Sequence, residues 1–198
     1  MNSEGARLGV RRRFFGRLFA ASLAFLLAAC ASAPSTVYDL TAAQPPRGRP
    51  LHAQFRIADP VATLDLDSDR ILVRSGITLA LLPGGRWPQQ LTSLFRARLI
   101  ESFQNAGLAR SIDGGAATAE YELALDIRAF ELDSTTSEAH VEVAAKIVAL
   151  TSGRIVDVAI FSARAPAPST GAASVVASLD QASADVMIDI VKFVARRL

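Results

Sequence analysis

The feature that most limits the fold is a regular alternation of apolar residues with polar or small ones in the second half of the chain. It occurs in two runs, residues 121–127 and 139–147. A period of two places the apolar side chains on one face of a β-strand and the polar ones on the other. The first run changes phase at Ala129-Phe130, and a β-bulge there would return the phenylalanine to the apolar face. With the turn at 151–154 and the apolar run 155–161, the pattern predicts an antiparallel meander of three strands.

Two further segments have the periodicity of amphipathic helices. The first is expected to open at Trp87-Pro88 and to end at Asn105-Ala106-Gly107, because proline is tolerated at the first helical position and glycine favours the left-handed cap. The second is expected from about 174 to 197. Their apolar stripes are formed by Leu91, Leu94, Phe95, Leu99 and Phe103, and by Val176, Leu179, Val186, Ile190 and Val194. Neither polar face is rich in Lys and Arg, so core helices are favoured over membrane-surface helices.

Short strands are predicted upstream of the first helix. Residues 52–58 form one, stopped by Pro60, and residues 70–74 and 77–82 form two more, hinged at Ser75-Gly76. Pro83-Gly84-Gly85 is expected to break the last of these. The predicted fold class is therefore α+β: a mostly antiparallel or mixed sheet with two amphipathic helices packed on it, in a single domain.

The N-terminal segment has the layout of an export signal. Arginines at positions 7, 11, 12, 13 and 17 precede an apolar run, residues 18–29, which is too short to cross a bilayer. Leu27-Ala28-Ala29-Cys30 resembles the bacterial lipobox, in which the cysteine thiol is acylated and cleavage makes that cysteine the N-terminus. A plain secretory signal with an incidental cysteine, or a buried apolar thiol, is the alternative. The run Arg11–Phe15 resembles a twin-arginine motif but lacks the preceding Ser/Thr and the trailing Lys, so both export routes stay open.

Residues 30–50 are expected to form a lipidated, flexible tether. The segment is rich in proline and small residues and lacks apolar periodicity, although Val37-Tyr38-Asp39-Leu40 alternates and could add a short edge strand. The domain organisation is then a signal peptide (1–29), the tether (30–50) and one folded domain (51–198). Ala31 stands where an aspartate would favour retention at the inner membrane, which indicates the periplasmic face of the outer membrane.

Charge and motifs argue against nucleic-acid binding and catalysis. Residues 1–29 carry five arginines and one glutamate, so the remainder has 16 basic and 18 acidic residues and no basic stripe. No nucleotide-binding loop and no Gly-x-Ser-x-Gly elbow is present. Asp65, Asp67 and Asp69 resemble the start of a calcium loop, but Arg70 and Gly76 replace its glycine and its bidentate glutamate. His52 and His140 are expected at the surface. We therefore expect no metal, no cofactor and no enzymatic activity.

Several short motifs occur in a collinear order. After the lipobox and tether come Tyr38-Asp39-Leu40, then Arg86-Trp87-Pro88-Gln89-Gln90-Leu91 before the Leu-rich helix, then Phe130-Glu131. In this order the chain resembles the ABC-type transport auxiliary lipoprotein family, which includes the paraquat-inducible protein C-like lipoproteins. Pro88 departs from the small residue expected at that position.

The resemblance implies a non-enzymatic, outer-membrane component of an MCE-type lipid transport system. Such systems pair an ABC ATPase and a permease in the inner membrane with MCE proteins that span the periplasm. The lipoprotein would dock the distal end of that conduit, and a homo-oligomer would suit this position. Two alternatives are a lipoprotein that assembles or plugs an outer-membrane barrel, as in lipopolysaccharide insertion, and a lipid-binding or envelope-remodelling enzyme.

Arg86 and Trp87, with the neighbouring Leu81 and Leu82, are the candidate partner interface. Aromatic and arginine side chains dominate the binding energy of protein interfaces. The alternative for Trp87 is packing in the core at the start of the helix.

Overall fold

A computed structural model describes residues 35–49, 51, 53–108 and 119–198. In this part of the chain, residues 35–198 belong to one compact unit. Its elements are β1 (Thr36–Val37), β2 (Phe55–Ile57), β3 (Val61–Ala62), β4 (Arg70–Ser75), β5 (Thr78–Arg86), α1 (Leu91–Asn105), β6 (Tyr121–Asp133), β7 (Glu138–Ala149), β8 (Arg154–Pro166) and α2 (Ala172–Arg197). The predicted α+β fold class is confirmed.

All the strands belong to one open, mixed sheet. Its order is β1-β5-β4-β6-β7-β8, and β2 and β3 pair in parallel with the first half of β6. Strands β6, β7 and β8 form the predicted antiparallel meander. The register of β6 shifts between Ile127 and Ala129, and Phe130 is buried. The expected bulge is therefore present, and it restores Phe130 to the core.

Both helices pack on the same face of the sheet. Helix α2 lies against β5, β6, β7 and β8, and the rings of Phe193 and Phe161 meet edge to face with centroids 5.5 Å apart. Helix α1 packs beside α2, and its Phe103 contacts Phe55 of β2, with centroids 5.1 Å apart. The opposite face of the sheet carries neither helix. We call it the uncovered face.

Residues 38–48 form a strap that lies between the two helices. The backbone N–H of Ala43 donates to the buried hydroxyl of Ser102 at 2.9 Å, and the hydroxyl donates to the carbonyl of Arg98. At either side, Thr41 donates through its N–H and its hydroxyl to the carboxylate of Asp180 (2.7 and 2.8 Å), and the N–H of Gly48 donates to the carbonyl of Ala106. The strap is therefore tied to α2, to α1 and to the residue that follows α1.

This packing corrects the predicted boundary of the tether at residue 50. The side chain of Leu40 is only 2% exposed and that of Ala43 only 3%, so the described part of the predicted tether belongs to the folded unit. Only isolated positions of the strap are buried, between two helices, which leaves no periodic signal in the sequence. The alternating segment at 37–40 does start from an edge strand, because β1 pairs in parallel with the end of β5.

The start of α1 differs from expectation, whereas its end does not. The helix begins at Leu91 with Gln90 as its N-cap, so Trp87-Pro88 precedes it rather than opening it. The N–H of Trp87 donates to the carbonyl of Asp69 at 2.8 Å, which holds this residue in the connection. At the other end, Gly107 has a φ of +81°, as expected for a left-handed cap.

Pro83-Gly84-Gly85 does not break β5, which continues to Arg86. The pairing with β4 shifts register between Arg70 and Leu72, and the extra residues of β5 lie in this irregularity. Gly84 adopts a φ of +78° there. A bulge tolerates proline because no ladder hydrogen bond is required at that position.

Replacing Ser102 by alanine tests the strap. The change leaves the N–H of Ala43 buried without its acceptor, so we expect the free energy of unfolding to fall by about 1 to 3 kcal/mol. Chemical denaturation measures this loss, and limited trypsin digestion should cut sooner after Arg47. The matched control is Ser93→Ala, which removes an exposed hydroxyl from the same helix and should lower neither the stability nor the resistance to trypsin. Equal stability of the two variants would show that the strap is not held in this way.

Candidate functional site

Two of the four predicted interface residues lie in the core. The side chain of Trp87 is 1% exposed and meets Phe130 edge to face, with centroids 5.8 Å apart. Leu82 is 6% exposed. Neither can act as an exposed anchor, so that interpretation is wrong for both, and core packing accounts for Trp87. The reason is that the chain turns inward between β5 and α1, carrying the indole under the helix layer.

The other two predicted residues, Leu81 and Arg86, stay accessible. The guanidinium Nη1 of Arg86 lies 3.4 Å from a carboxylate oxygen of Asp69. Leu81 is 51% exposed and lines a groove of about 290 Å³ together with Leu64 and Leu79. The neighbouring Ile77, in the β4–β5 turn, is fully exposed. We call Leu64, Ile77, Leu79 and Leu81 the leucine patch.

A second apolar surface lies on β8, at the opposite edge of the sheet. It consists of Ile155, Val156, Val158 and Ile160, each about half exposed. We call these residues the β8 patch. Among the described residues, only β7 pairs with β8, so the other edge of this 13-residue strand has no strand partner. The N–H of Val158 donates to the carboxylate of Asp157 at 2.9 Å. Such an edge can accept a further strand from a partner.

Sequence reasoning missed the β8 patch. Residues 155–161 were correctly expected to form a strand, but apolar residues on both of its faces are typical of a buried strand. Only the sheet order shows that β8 is an edge. The one signal in the sequence was the apolar identity of positions 158 and 160, which lie opposite Lys146 and Ala144 on the polar side of β7.

A band of ion pairs separates the two apolar patches on the uncovered face. Arg74 donates two hydrogen bonds to Glu131, whose side chain is only 3% exposed, and this pairing raises the pKa of the arginine. Arg164 lies 3.8 Å from a carboxylate oxygen of Asp133 and 3.6 Å from one of Glu138. Each cation of this band has a carboxylate partner, so the band is close to neutral.

The acidic residues of the 65–69 turn do not converge on a common point. The carboxylate of Asp67 accepts a hydrogen bond from the hydroxyl of Thr92 at 2.6 Å, and Asp69 pairs with Arg70 and Arg86. Within the described ranges, no cluster of three His, Cys, Asp or Glu side chains could hold a metal ion. Neither helix of this part of the chain combines the length and apolarity needed to cross a membrane. Cys30, its lipobox residues Leu27, Ala28 and Ala29, and His52 lie outside the described residues.

Comparison with known proteins identifies a family model and solved structures that match most of the domain. The family model for the ABC-type transport auxiliary lipoprotein component matches residues 38–191. The crystal structure of protein XCC0632 from Xanthomonas campestris is 30% identical, covers 82% of this chain and 96% of its own, and superposes with a TM-score of 0.74. The match begins at the strap, which agrees with its place in the folded unit.

Two further similarities are weaker. A second crystal structure is 12% identical, covers 82% of this chain and 99% of its own, and has a TM-score of 0.65, so it supports the fold alone. The protein bll6063 of Bradyrhizobium diazoefficiens is 33% identical over 133 residues. That match covers 64% of this chain but spans only about a third (34%) of the curated relative.

Replacing Trp87 by alanine distinguishes its two interpretations. Loss of a fully buried indole against Phe130 should lower the free energy of unfolding by about 3 to 5 kcal/mol. Thermal and chemical denaturation measure it. The control is Leu81→Ala, an exposed position that should cost well under half as much; equal costs would contradict the assignment of Trp87 to the core.

Protonation of His140, which lies opposite Arg164 on the uncovered face, makes the stability of the fold depend on pH. Partial burial, helped by the charge of Arg164, lowers the pKa of His140 below its ordinary value of 6.5, against the opposing effect of Glu142, Glu131 and Asp133. Because the unfolded chain then takes up this proton first, stability falls as the pH drops below about 6.5. We expect His140→Gln to lose less stability than the parent between about pH 7.5 and about pH 5.5, as measured by urea denaturation. An unchanged slope would remove His140 from the account.

Proposed function

Because the chain belongs to the ABC-type transport auxiliary lipoprotein family, we propose that it is the outer-membrane-anchored docking component of an MCE-type lipid transport system. This is a lipoprotein family and not an enzyme family, and its name implies association with the cell envelope. In the proposed system, an ABC ATPase hydrolyses ATP and acts together with a permease. The lipoprotein binds the MCE protein that connects them to the outer membrane.

The proposed anchor is the acylated Cys30. The arginine cluster, the short apolar run and the small residues before the cysteine support acylation, and Ala31 supports sorting to the periplasmic face of the outer membrane. Two or three acyl chains hold a protein stably in a membrane, whereas one binds reversibly. An anchor of this kind keeps the domain at the membrane and raises the effective concentration of any partner that reaches it.

The observation that carries the docking role is the β8 edge. It combines an edge without a strand partner and four exposed apolar side chains, of which Ile160 is 56% exposed. The strand has one bulge, at Val156, and pairs regularly with β7 from Asp157 onward. Natural proteins usually protect a long edge strand with charge, a bulge or a covering element, because it pairs readily with other chains. An MCE protein that presents a strand would satisfy the backbone groups and cover the apolar side chains. Backbone pairing would supply affinity, and Val158 and Ile160 would supply specificity.

The capture of a partner by two isoleucine variants tests this role. We expect Ile160→Glu to weaken retention of the MCE protein of the same system by at least about tenfold, since one charge placed in a desolvated apolar contact costs more than 1.4 kcal/mol. Ile77→Glu is the matched control, because it adds the same charge at another exposed isoleucine. Pull-down of the detergent-solubilised full chain, followed by titration of the purified partner, measures both.

Three results would contradict the proposal. The first is equal retention by the two variants. The second is crosslinking from position 160 that recovers only an outer-membrane barrel protein, which would favour a role in barrel assembly. The third is crosslinking from that position that recovers only a second copy of this chain, which would assign the β8 edge to a homo-oligomer.

A further inference from the structure

The number of residues between the proposed anchor and the folded unit limits where the membrane can lie. The described chain begins at Ser35, five residues after Cys30, and enters β1 at once. Five residues span at most about 18 Å even when fully extended. Residues 38–48 add no reach, because the strap is fixed to α1 and α2. If Cys30 is acylated, the bilayer surface must therefore lie close to β1.

The leucine patch is the apolar surface next to β1. Strand β1 pairs with β5, with Thr36 opposite Gly85 and Val37 opposite Arg86. Leu81 precedes Gly85 by four residues on β5, or about 13 Å along the strand. That distance is shorter than the span of about 18 Å available between Ser35 and the anchor. The patch is therefore close enough to β1 to meet the same bilayer.

We propose that the leucine patch contacts the bilayer that holds the anchor. The inference rests on the proposed acylation of Cys30. Ile77, at the turn between β4 and β5, is fully exposed, and Leu64, Leu79 and Leu81 beside it form an apolar surface within reach of that anchor. Val37, on β1 itself, is also exposed and extends the apolar surface along the same edge.

The contact is made at the level of the lipid headgroups. Leu79 and Leu81 lie on β5, and β1 pairs only with the last two residues of that strand. The backbone groups on the unpaired side of β5 therefore need water or headgroup partners. Leucine and isoleucine side chains can reach the acyl boundary from there. Asp65 and Arg70 both line the groove of the patch, so its charges balance and the contact does not select anionic lipids.

This orientation leaves the docking edge free. The path β1-β5-β4-β6-β7-β8 contains five strand spacings, or about 24 Å, between the membrane-facing edge and β8. The β8 patch therefore lies at the edge of the sheet that is farthest from the membrane, where a partner that spans the periplasm can reach it.

Site-directed labelling of the lipidated full chain tests the contact. The sequence contains a single cysteine, so an introduced cysteine is the only free thiol when Cys30 is acylated. Three variants, Ile77→Cys, Leu81→Cys and Ile160→Cys, are labelled with an environment-sensitive fluorophore and reconstituted into phosphatidylcholine vesicles with or without a lipid-borne quencher. We expect several-fold stronger quenching at positions 77 and 81 than at position 160, and the same result when phosphatidylglycerol is added.

The outcomes separate this inference from the proposed function. If the parent chain itself takes up the label and does not float with vesicles, Cys30 is not acylated, and the anchor is wrong. If the chain floats and its cysteine is blocked, but positions 77 and 81 are quenched no more than position 160, the leucine patch does not contact the membrane although the anchor stands. Loss of quenching at 77 and 81 only when the MCE protein is added would assign the patch to that partner and overturn the inference.

Discussion

The one-sided cover of the sheet determines most of what this molecule can do. Helices α1 and α2 bury the inner face of the sheet, where Phe55 and Phe130 lie, and the strap is bonded to both helices. The two helices and the strap therefore lie on the same side of the sheet. Because the core is complete without the uncovered face, that face and its two open edges are available for contacts with other molecules. The two apolar patches lie at these edges, with a neutral band of ion pairs between them.

The strap connects the proposed anchor mechanically to the domain. A flexible tether of about 20 residues would let the domain rotate freely above the membrane. The structure instead fixes the chain from Tyr38 onward, because Thr41 bonds to Asp180 of α2 and Ala43 bonds to Ser102 of α1. Only a short segment of sequence therefore separates Cys30 from the folded unit. An auxiliary component that must receive a partner at a defined height benefits from this restriction, because its docking edge is held at a nearly constant distance from the bilayer.

The sequence predicted the parts of the fold that have strong periodicity. The β6-β7-β8 meander, the bulge before Phe130, the buried stripe of α2 and the glycine cap of α1 all follow from local patterns, and the structure confirms them. The strap could not be predicted, because its burial depends on two helices that are distant in sequence. The predicted interface was wrong at Trp87 and Leu82 for a related reason. Residue type indicates that a side chain can bind a partner, but the course of the backbone decides whether that side chain points outward. The edge position of β8 is a property of strand order alone.

The central claim is that a partner docks on the uncovered side of the sheet at β8, and hydrogen–deuterium exchange of the lipidated chain in vesicles tests it most directly. Exchange is compared with and without the MCE protein of the same system. The account predicts that added protection appears in residues 154–166 and that α1, α2 and the strap keep their exchange rates. Protection of the helices and the strap, with β8 unchanged, would place the partner on the other side of the molecule and contradict the account.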